Sequence, residues 1–368
     1  MKKRFFGADT LLENLIDSCN KPMQNAQILK IGQVMFNLLN AGVIKASKAL
    51  NRLCLLLFFA MSSSLWAQSW PNKPVKIVVT LSAGSTSDIL ARIVGDQLTK
   101  SLGQAFIIEN RPGAGGNVAG DYTVHQAPDG YTIMLASISS HGINPAIYAK
   151  MPYDALRDFT PIVAIASSPN VLIASNETPI TSVKELMAWI KARPSDSINY
   201  SSAGNGTSMH LSGELFNAMA GIKTLHVPFK GSPEAVNSVM KNEVSFMFPN
   251  APNAIPLAKG GKIKLLAVTS AKRLSWLPDV PTVSESGLTG FEVTAWFGFV
   301  GPQGIPAAIV NKLNAEVQKA LQLPAVNEAL LDQGFEPMGG SPLEFSQFMK
   351  SEIDKWTKVI KQSSIPKL

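Results

Sequence analysis

From Trp70 to the carboxyl end, short apolar runs alternate with stretches in which apolar residues recur every three or four positions. The short runs predict buried strands, and the amphipathic stretches predict helices. The first strand is followed by a helix whose buried face is expected to carry Ile89, Ile93, Leu98 and Leu102. The predicted strands are Val75–Leu81, Ala105–Glu109, Thr132–Ala136, Val171–Ala174, Ile198–Ser201, Leu225–Val227, Val244–Phe248 and Leu265–Val268.

Capping residues mark several helix starts. Ser182 and Glu185 have the spacing of a capping box. Ser232-Pro233 and Ser341-Pro342 each place a cap residue before a proline at the first helical position. Strands that alternate with helices predict α/β lobes with largely parallel sheets. A chain of 368 residues is long enough for two domains that each bury a core.

The first 67 residues have a different character. A short apolar run at 53–61 follows three basic residues and leads into small residues that end at Ala67. This order predicts a secretory signal peptide cleaved near Ala67, and the run is too short to span a bilayer comfortably. A start at Met35 would give a conventional leader, so we expect residues 1–34 to be an upstream extension. The alternative is a genuine cytosolic or membrane-anchoring segment.

Composition and charge narrow the class of protein. Hydrophobic residues make up 46% and charged residues 16% of the chain, which is typical of a globular protein. The formal net charge is +7, but residues 1–67 hold eight basic and three acidic residues, so the remainder is near +2. Without a basic stripe in the body, a nucleic-acid partner is not expected. Both cysteines, Cys19 and Cys54, precede residue 67, so the body has no disulfide, thiolate metal site or cysteine nucleophile.

Two loops rich in small hydroxyl residues, Leu81–Asp88 and Tyr200–His210, each join a predicted strand to a helix. Backbone N–H groups at a helix start carry the positive end of the helix dipole and suit an anion. Asp88 would repel a bound carboxylate, so we expect it to cap its helix. Each loop taken alone is also consistent with a plain connection. Two of them, one per lobe, would face each other across a cleft, which favours a binding site.

The loop 111–117 has glycines that resemble a dinucleotide-binding fingerprint, but Val118 occupies the position of a required glycine, and no P-loop ending is present. We therefore expect a tight turn at which another segment of backbone can pass close to the loop.

The four histidines lack metal-ligand spacing and no Gly-x-Ser-x-Gly elbow occurs, so neither a metal nor a cofactor is expected. Lys230 is either a charge for an acidic ligand or a solvated lysine, and Trp296 is expected in core or hinge packing.

Several ordered motifs between about Trp70 and the carboxyl end resemble the substrate-binding receptors of tripartite tricarboxylate transporters, the Bug-type periplasmic proteins. Any one motif is weak, but the ordered set is specific. The motifs are Trp70-Pro71-Asn72-Lys73-Pro74, Glu109-Asn110-Arg111-Pro112-Gly113-Ala114-Gly115-Gly116, Ala127-Pro128-Asp129-Gly130-Tyr131, His226-Val227-Pro228-Phe229-Lys230-Gly231, Ala267-Val268-Thr269-Ser270 and Asp279-Val280-Pro281-Thr282.

The resemblance implies a type II periplasmic-binding-protein fold with two α/β lobes and a ligand cleft between them. Lobe 1 would comprise 69–168 and 290–368, including helices at 305–322 and 341–362, and lobe 2 would comprise 169–289. Family ligands are small carboxylates held by backbone amides, hydroxyls and ordered water. This chain has Thr80-Leu81 where the family has Pro-Phe, and Ser85-Thr86 where the family has glycines. Direct hydroxyl contacts are therefore expected to replace water or backbone contacts, and the departure bears on the identity of the ligand and not on the fold.

These grounds predict a periplasmic, monomeric receptor that captures a small organic acid and delivers it to membrane transporter subunits. The alternatives are a sensor that feeds a signalling partner, or a hydrolase or transferase that uses Ser85, Ser202 or His210. No complete catalytic set is apparent in the sequence, so no enzymatic activity is expected. The ligand-binding residues expected are Leu81, Ser82, Ala83, Gly84, Ser85, Thr86, Asp88, Ser139, Asn144, Ser202, Gly204, Gly206, Thr207, Ser208, His210 and Lys230.

Overall fold

A computed structural model describes residues 30, 32–37, 70–194, 197–363 and 365–368. The chain divides into two units, Met1–Ser69 and Trp70–Leu368. In the first unit, residues 30 and 32–37 are helical. The apolar run at 53–61, the expected cleavage site near Ala67 and both cysteines lie outside the described residues. Among the residues described, no helix has the length and apolar character needed to cross a membrane.

The unit Trp70–Leu368 contains eleven strands within the described residues, arranged in two sheets. The first sheet has the order β11-β4-β10-β3-β1-β2, and the second has the order β7-β6-β8-β5-β9. The strands are β1 (Val75–Val79), β2 (Phe106–Asn110), β3 (Thr132–Ser137), β4 (Phe159–Pro169), β5 (Val171–Ala174), β6 (Asn199–Ser202), β7 (Leu225–Pro228), β8 (Phe246–Met247), β9 (Lys264–Val268), β10 (Thr294–Pro302) and β11 (Glu336–Gly339).

Helices cover both sheets, and the elements of the six-stranded sheet are called the first lobe and those of the five-stranded sheet the second lobe. A turn of π-helix at Ser139–Ile143 precedes the third helix. The helices are α1 (Thr86–Leu102), α2 (Asn117–Val124), α3 (Asn144–Ile147), α4 (Val183–Lys191), α5 (Ser208–Ala220), α6 (Ser232–Met240), α7 (Ala251–Lys259), α8 (Ala307–Gln322), α9 (Pro324–Asp332) and α10 (Pro342–Gln362).

The sheets are mixed, so the expectation of largely parallel sheets is wrong. In the first lobe β1 runs parallel to β2 and β3, whereas β10 is antiparallel to β3 and β4. In the second lobe β6 is parallel to β7 and β8, whereas β5 is antiparallel to β8 and β9. The antiparallel pairs arise because β4 leads directly into β5 of the second sheet, and β10 brings the chain back beside β4 in the opposite direction.

Asn170 lies between β4 and β5, at the first crossing between the sheets, and is fully buried. Its side-chain amide donates to the Phe248 carbonyl at 2.8 Å. Its backbone carbonyl accepts from the Thr269 hydroxyl at 2.8 Å, and this hydroxyl also lies 2.6 Å from the Val293 carbonyl. Residues 269–293 form the return crossing between β9 and β10, so one buried asparagine ties the two crossings together.

Side-chain caps fix several helix starts as the sequence predicts. Ser182 accepts from the Glu185 backbone N–H at 3.2 Å, and Ser341 forms a full capping box with Glu344. The cap expected at Ser232 is wrong by one position. Gly231 is the N-cap of α6, because the Ser232 hydroxyl instead points to the sulfur of Met209 at 3.5 Å.

The buried face of α1 also differs from the expected one. Leu98 is fully buried as predicted, but Ile89, Ile93 and Leu102 are only partly buried. The other fully buried apolar positions of α1 are Leu90, Ala91 and Val94. The helix packs against the first sheet and also against α8 and α9, so its apolar face is centred about one position further along the chain.

Candidate functional site

A small cavity lies between the two sheets and is lined by residues from both lobes. The centre of a water-sized sphere can occupy only about 10 Å³ of it, which is room for about one water molecule. None of the described residues in its wall carries a charge. The wall consists of Thr80, Leu81, Ser87, Gly115, Ser137, Ile138, Ser139, Thr207, Ser208, Met209, Asn250, Ala295 and Phe297.

Four helices direct their amino ends toward this cavity. Ser87 is in the first turn of α1, and Gly115 stands two residues before α2. Thr207 is the N-cap of α5, and Asn250 is the N-cap of α7. Each helix start carries unpaired N–H groups and about half a positive charge. The cavity wall therefore presents a positive potential without any cationic side chain, which suits an anion.

In the first loop, Ser85 is the N-cap of α1 and accepts from the Asp88 backbone N–H at 3.4 Å. The sequence suggested that Asp88 caps α1, but Ser85 and not Asp88 occupies the N-cap position. The Asp88 carboxylate reaches back instead to the Gly84 N–H at 2.9 Å and pairs with Arg92 at 2.9 Å. Asn110 donates to the same carboxylate at 3.0 Å. Burial raises the pKa of Asp88. The hydrogen bonds from these groups and the charge of Arg92 lower it by more, so the pKa is lowered on balance.

In the second loop, the Thr207 hydroxyl caps α5 by accepting from the His210 N–H at 3.3 Å and donates to the Gly204 carbonyl at 2.7 Å. Gly206 has a φ of +77°, a left-handed conformation that favours glycine. A Cβ there would also lie 2.4 Å from Oδ1 of Asn144 in the first lobe. Glycine at this position therefore provides both the turn and a close approach between the lobes.

His210 lies behind the second loop and not in the cavity wall. Its Nδ1 accepts from the Gly206 N–H at 3.3 Å, and its ring centroid lies 4.3 Å from that of His226. Burial lowers the pKa of His210 to about 3, with a further contribution from His226, and burial lowers the pKa of His226 to about 4. Both rings are therefore neutral near pH 7, and they support the loop by packing and hydrogen bonding.

The Ser202 hydroxyl lies 2.6 Å from Nε2 of His226, a serine–histidine contact that invites comparison with a nucleophile and its base. Ser202 is fully buried, and its oxygen also accepts from the Gly204 N–H at 3.0 Å. Neither residue lines the cavity. Throughout the described residues, no group of three or more histidine, cysteine or acidic side chains is placed to hold a metal ion.

The loop 111–117 forms the expected tight turn and also contacts the second loop. A Cβ on Gly115 would lie 2.7 Å from the Asn205 carbonyl oxygen. The Asn144 amide donates to the Gly115 carbonyl at 3.1 Å and to Oδ1 of Asn117 at 2.8 Å. Asn144 thereby holds this turn against the cavity, although its own side chain is not in the cavity wall.

The structure brings only some of the expected ligand-binding residues to the cavity. Leu81, Ser139, Thr207 and Ser208 line it. Ala83, Gly84 and Lys230 are exposed outside it. The Thr86 hydroxyl bonds Asn253 of the second lobe, and the side chain of Asn144 bonds the loop 111–117. Asp88, Ser85, Ser202, Gly204, Gly206 and His210 form hydrogen bonds within the two loops, and Ser82 contributes only its backbone carbonyl. The wall residues that were not expected from the sequence are Thr80, Ser87, Gly115, Ser137, Ile138, Met209, Asn250, Ala295 and Phe297.

A usable signal existed for Asn250. It lies three residues after the strand β8, at the N-cap of α7, and Pro252 stands in the first helical turn. This is the pattern of a cap residue and a proline that marked Ser232-Pro233 and Ser341-Pro342. Ala295 and Phe297 gave no such signal. They lie on the return strand β10 and reach the cavity only through its pairing with β3 and β4.

The family of this chain follows from comparison with known proteins. The tripartite tricarboxylate transporter family receptor, TctC, matches residues 90–365. This chain belongs to that family. Among solved structures, Rpa4515 of R. palustris with adipate is 37% identical with a TM-score of 0.79, and the match covers 82% of this chain and 100% of that chain. The family predicted from the ordered motifs is therefore confirmed.

Two further structures of the same class support the fold. The periplasmic binding protein BugD is 32% identical with a TM-score of 0.78, covering 81% of this chain and 100% of its own. MatC from Rhodopseudomonas palustris, with bound malate, is 34% identical with a TM-score of 0.76, covering 79% of this chain and 100% of its own. The expected two-lobed periplasmic-binding-protein fold is confirmed by these likenesses and by the two sheets.

Proposed function

We propose that this chain is a periplasmic receptor that captures a small carboxylate between its lobes and delivers it to membrane subunits of a tripartite tricarboxylate-type transporter. The observation that carries the proposal is the convergence of four helix amino ends on one cavity without a charged wall residue among those described. A carboxylate there would accept from backbone N–H groups and from hydroxyls, as charge-assisted hydrogen bonds that are stronger than neutral ones.

The size of the cavity supports capture by closure. Room for about one water molecule is too little for a dicarboxylate, so the solute enters only when the lobes part. Contacts between the lobes then exclude water and strengthen the hydrogen bonds to the anion. We propose 69–168 with 290–368 as one moving body and 169–289 as the other, with the crossings at Asn170 and 269–293 as the hinge.

We propose binding without chemical conversion. No wall residue described here is titratable in the physiological range, so a bound solute would touch no general acid or base. The buried Ser202 and the half-buried His226 lie behind the second loop and cannot reach the solute without rearrangement of that loop.

We also propose export with cleavage near Ala67 and a monomeric receptor without a nucleic-acid partner. The apolar run and small-residue exit before Ala67 support export. The nearly balanced charge of the body supports the absence of a nucleic-acid partner. Mass spectrometry of the protein recovered from the periplasm would give the mature amino terminus, and light scattering would give its mass in solution.

The central experiment is a binding screen of the purified protein. Adipate, malate, other mono-, di- and tricarboxylates, and the corresponding uncharged amides are tested by calorimetry and thermal shift. At one hundred times its dissociation constant, a true ligand stabilises the fold by about 2.7 kcal/mol. We expect at least one acid to bind and its amide to fail. If no acid stabilises the protein, or if amides bind equally well, the proposed carboxylate site is wrong.

A further inference from the structure

The first loop of the first lobe contacts the second lobe at points that lie outside the cavity wall. The side-chain amide of Asn253, in α7, donates to the Gly84 carbonyl at 2.9 Å. The Thr86 hydroxyl, at the start of α1, donates to Oδ1 of the same asparagine at 2.6 Å. Asn253 therefore bridges two residues of the opposite lobe, and it is not itself part of the cavity wall.

Gly231 faces the same loop from the start of α6. Its φ of −165° is extended backbone that any residue can adopt, so the backbone conformation does not require glycine. A Cβ at this position would lie 1.8 Å from Oγ of Ser82 and 3.0 Å from Cβ of Ser82. Real Cβ atoms do not approach other atoms so closely. With alanine here, the Ser82 hydroxyl would have to rotate away, and the two Cβ atoms would still lie at a tight 3.0 Å. The proximity of the other lobe therefore favours glycine at this position.

We propose that Gly231 and Asn253 set the affinity of this receptor by controlling closure of its lobes, an inference that rests on the proposed receptor function. Gly231 permits the approach of Ser82, and Asn253 holds the closed arrangement through Thr86 and Gly84. Both are positioning residues, because neither lines the cavity. A side chain at 231 is compatible with separated lobes, where Ser82 is distant, and disfavours only the closed form.

The first test compares Gly231→Ala with two matched variants. Gly260→Ala is the control, since Gly260 has an ordinary φ of −80° and a Cβ there would come no closer than 3.4 Å to another atom. The double variant Ser82→Gly with Gly231→Ala removes both first-lobe atoms that the new methyl group meets and leaves only Oε2 of Glu234, the end of a flexible side chain, at 3.0 Å. Adipate binding is measured by calorimetry, with Ser82→Gly alone as the reference for the rescue.

We expect Gly231→Ala to weaken adipate binding about tenfold or more, with an unchanged unfolding midpoint. Gly260→Ala should bind like the original protein, and the double variant should return to within about threefold of Ser82→Gly. Equal binding by Gly231→Ala overturns the inference. Weakened binding that Ser82→Gly does not rescue also overturns it, because the effect would then arise within the second lobe.

A second test needs no ligand. Because the body has no cysteine, Ser82→Cys with Gly231→Cys can be introduced in a chain whose Cys19 and Cys54 are replaced by serine. The 3.0 Å approach at this pair is close to the Cβ separation of a disulfide, about 3.5–4.5 Å. Oxidation should form an intramolecular cross-link that is detected by mass, and reduction should release it. Absence of the cross-link overturns the contact.

The two tests separate the two possible failures. If no carboxylate in the screen binds the original protein, the proposed function fails, and the cross-link still reports whether the lobes meet at Ser82 and Gly231. If adipate binds and the cross-link forms, but Gly231→Ala binds normally, only the control of affinity by closure is wrong.

The variant Asn253→Ala adds a kinetic measurement. We expect adipate to dissociate from it about five- to tenfold faster, with little change in the rate of association.

Discussion

The Ser139 hydroxyl, in the first lobe, accepts a hydrogen bond at 3.2 Å from the backbone N–H of Ser208, the first residue of α5 in the second lobe. Both residues line the cavity. One of the unpaired N–H groups at this helix start is therefore satisfied by the opposite lobe. A solute that enters the cavity meets this pair directly, and it either competes for the N–H group or adds to the contact.

Ser139→Ala tests the value of this contact. The variant removes one hydroxyl from the cavity and leaves the Ser208 N–H without its partner, so we expect binding of the preferred acid to weaken about fivefold, or by about 1 kcal/mol. Calorimetry measures the change. Ser351→Ala is the control, because that exposed serine bonds only its own helix backbone in α10 at 2.8 Å. Binding as tight as in the original protein would contradict the assignment of Ser139.

Thr207→Ala should affect both stability and binding. Loss of this N-cap costs about 1 kcal/mol, and the second loop also loses the bond from Thr207 to the Gly204 carbonyl. Urea unfolding and calorimetry measure the two effects. Ser341→Ala removes a cap of the same kind from α10, which is not part of the cavity wall, so it should lose similar stability without loss of affinity. Parallel losses of affinity in both variants would contradict a specific role for Thr207.

Stability should fall on mild acidification because the two histidines behind the second loop have lowered pKa values. The pKa values of His210 and His226 are lowered to about 3 and 4, whereas unfolded histidine titrates near 6.5. Between these values the unfolded chain binds more protons, so their contribution is present above about pH 6.5 and is lost progressively toward about pH 4. Each histidine costs up to about 1.4 kcal/mol per pH unit in this range.

Urea unfolding at several pH values checks this expectation. His226→Gln should flatten the decline, since it removes one of the two titrating groups and retains a polar partner for Ser202. The exposed His125 supplies the control substitution His125→Gln, which should leave the decline unchanged. A pH profile of His226→Gln that matches the original protein would contradict the role of this pair.

Asp88→Asn distinguishes a structural carboxylate from one that contacts the solute. The variant loses the charge pair with Arg92 and weakens the bond to the Gly84 N–H, so we expect a loss of about 2 kcal/mol in the free energy of unfolding. If Asp88 faced a bound carboxylate, its neutralisation would tighten binding. We expect no tightening by calorimetry. Asp354→Asn, at an exposed position of α10, is the matched control for the loss of a charge.

Elements with strong local signals could be predicted from the sequence. The strand at Val171–Ala174 has the predicted bounds, and the cap at Ser341 is present as expected. The strands β4, β10 and β11 were not predicted. β4 contains Pro161 and Pro169, and β10 contains Gly298 and Gly301, residues that locally favour loops. Pairing between distant segments forms these strands, and a local pattern does not contain that information.

The candidate site likewise has parts that the sequence predicts and parts that it does not. The two loops were found because small residues between a strand and a helix are a local signal, and both contribute to the cavity wall. Within those loops the sequence could not tell wall residues from supporting ones. Ser208 lines the cavity whereas Ser202 bonds His226 behind it, although both are serines in the same loop, because the direction of each side chain depends on the packed fold.

The absence of charge from the described cavity wall has a consequence for the speed of capture. Dipoles attract an ion over a much shorter range than a net charge does, so this wall provides little electrostatic steering for an approaching acid. The rate of encounter should then depend weakly on ionic strength and follow the fraction of time that the lobes stand apart. The rate of capture of such a solute would be limited by opening of the receptor and not by diffusion of the solute to it.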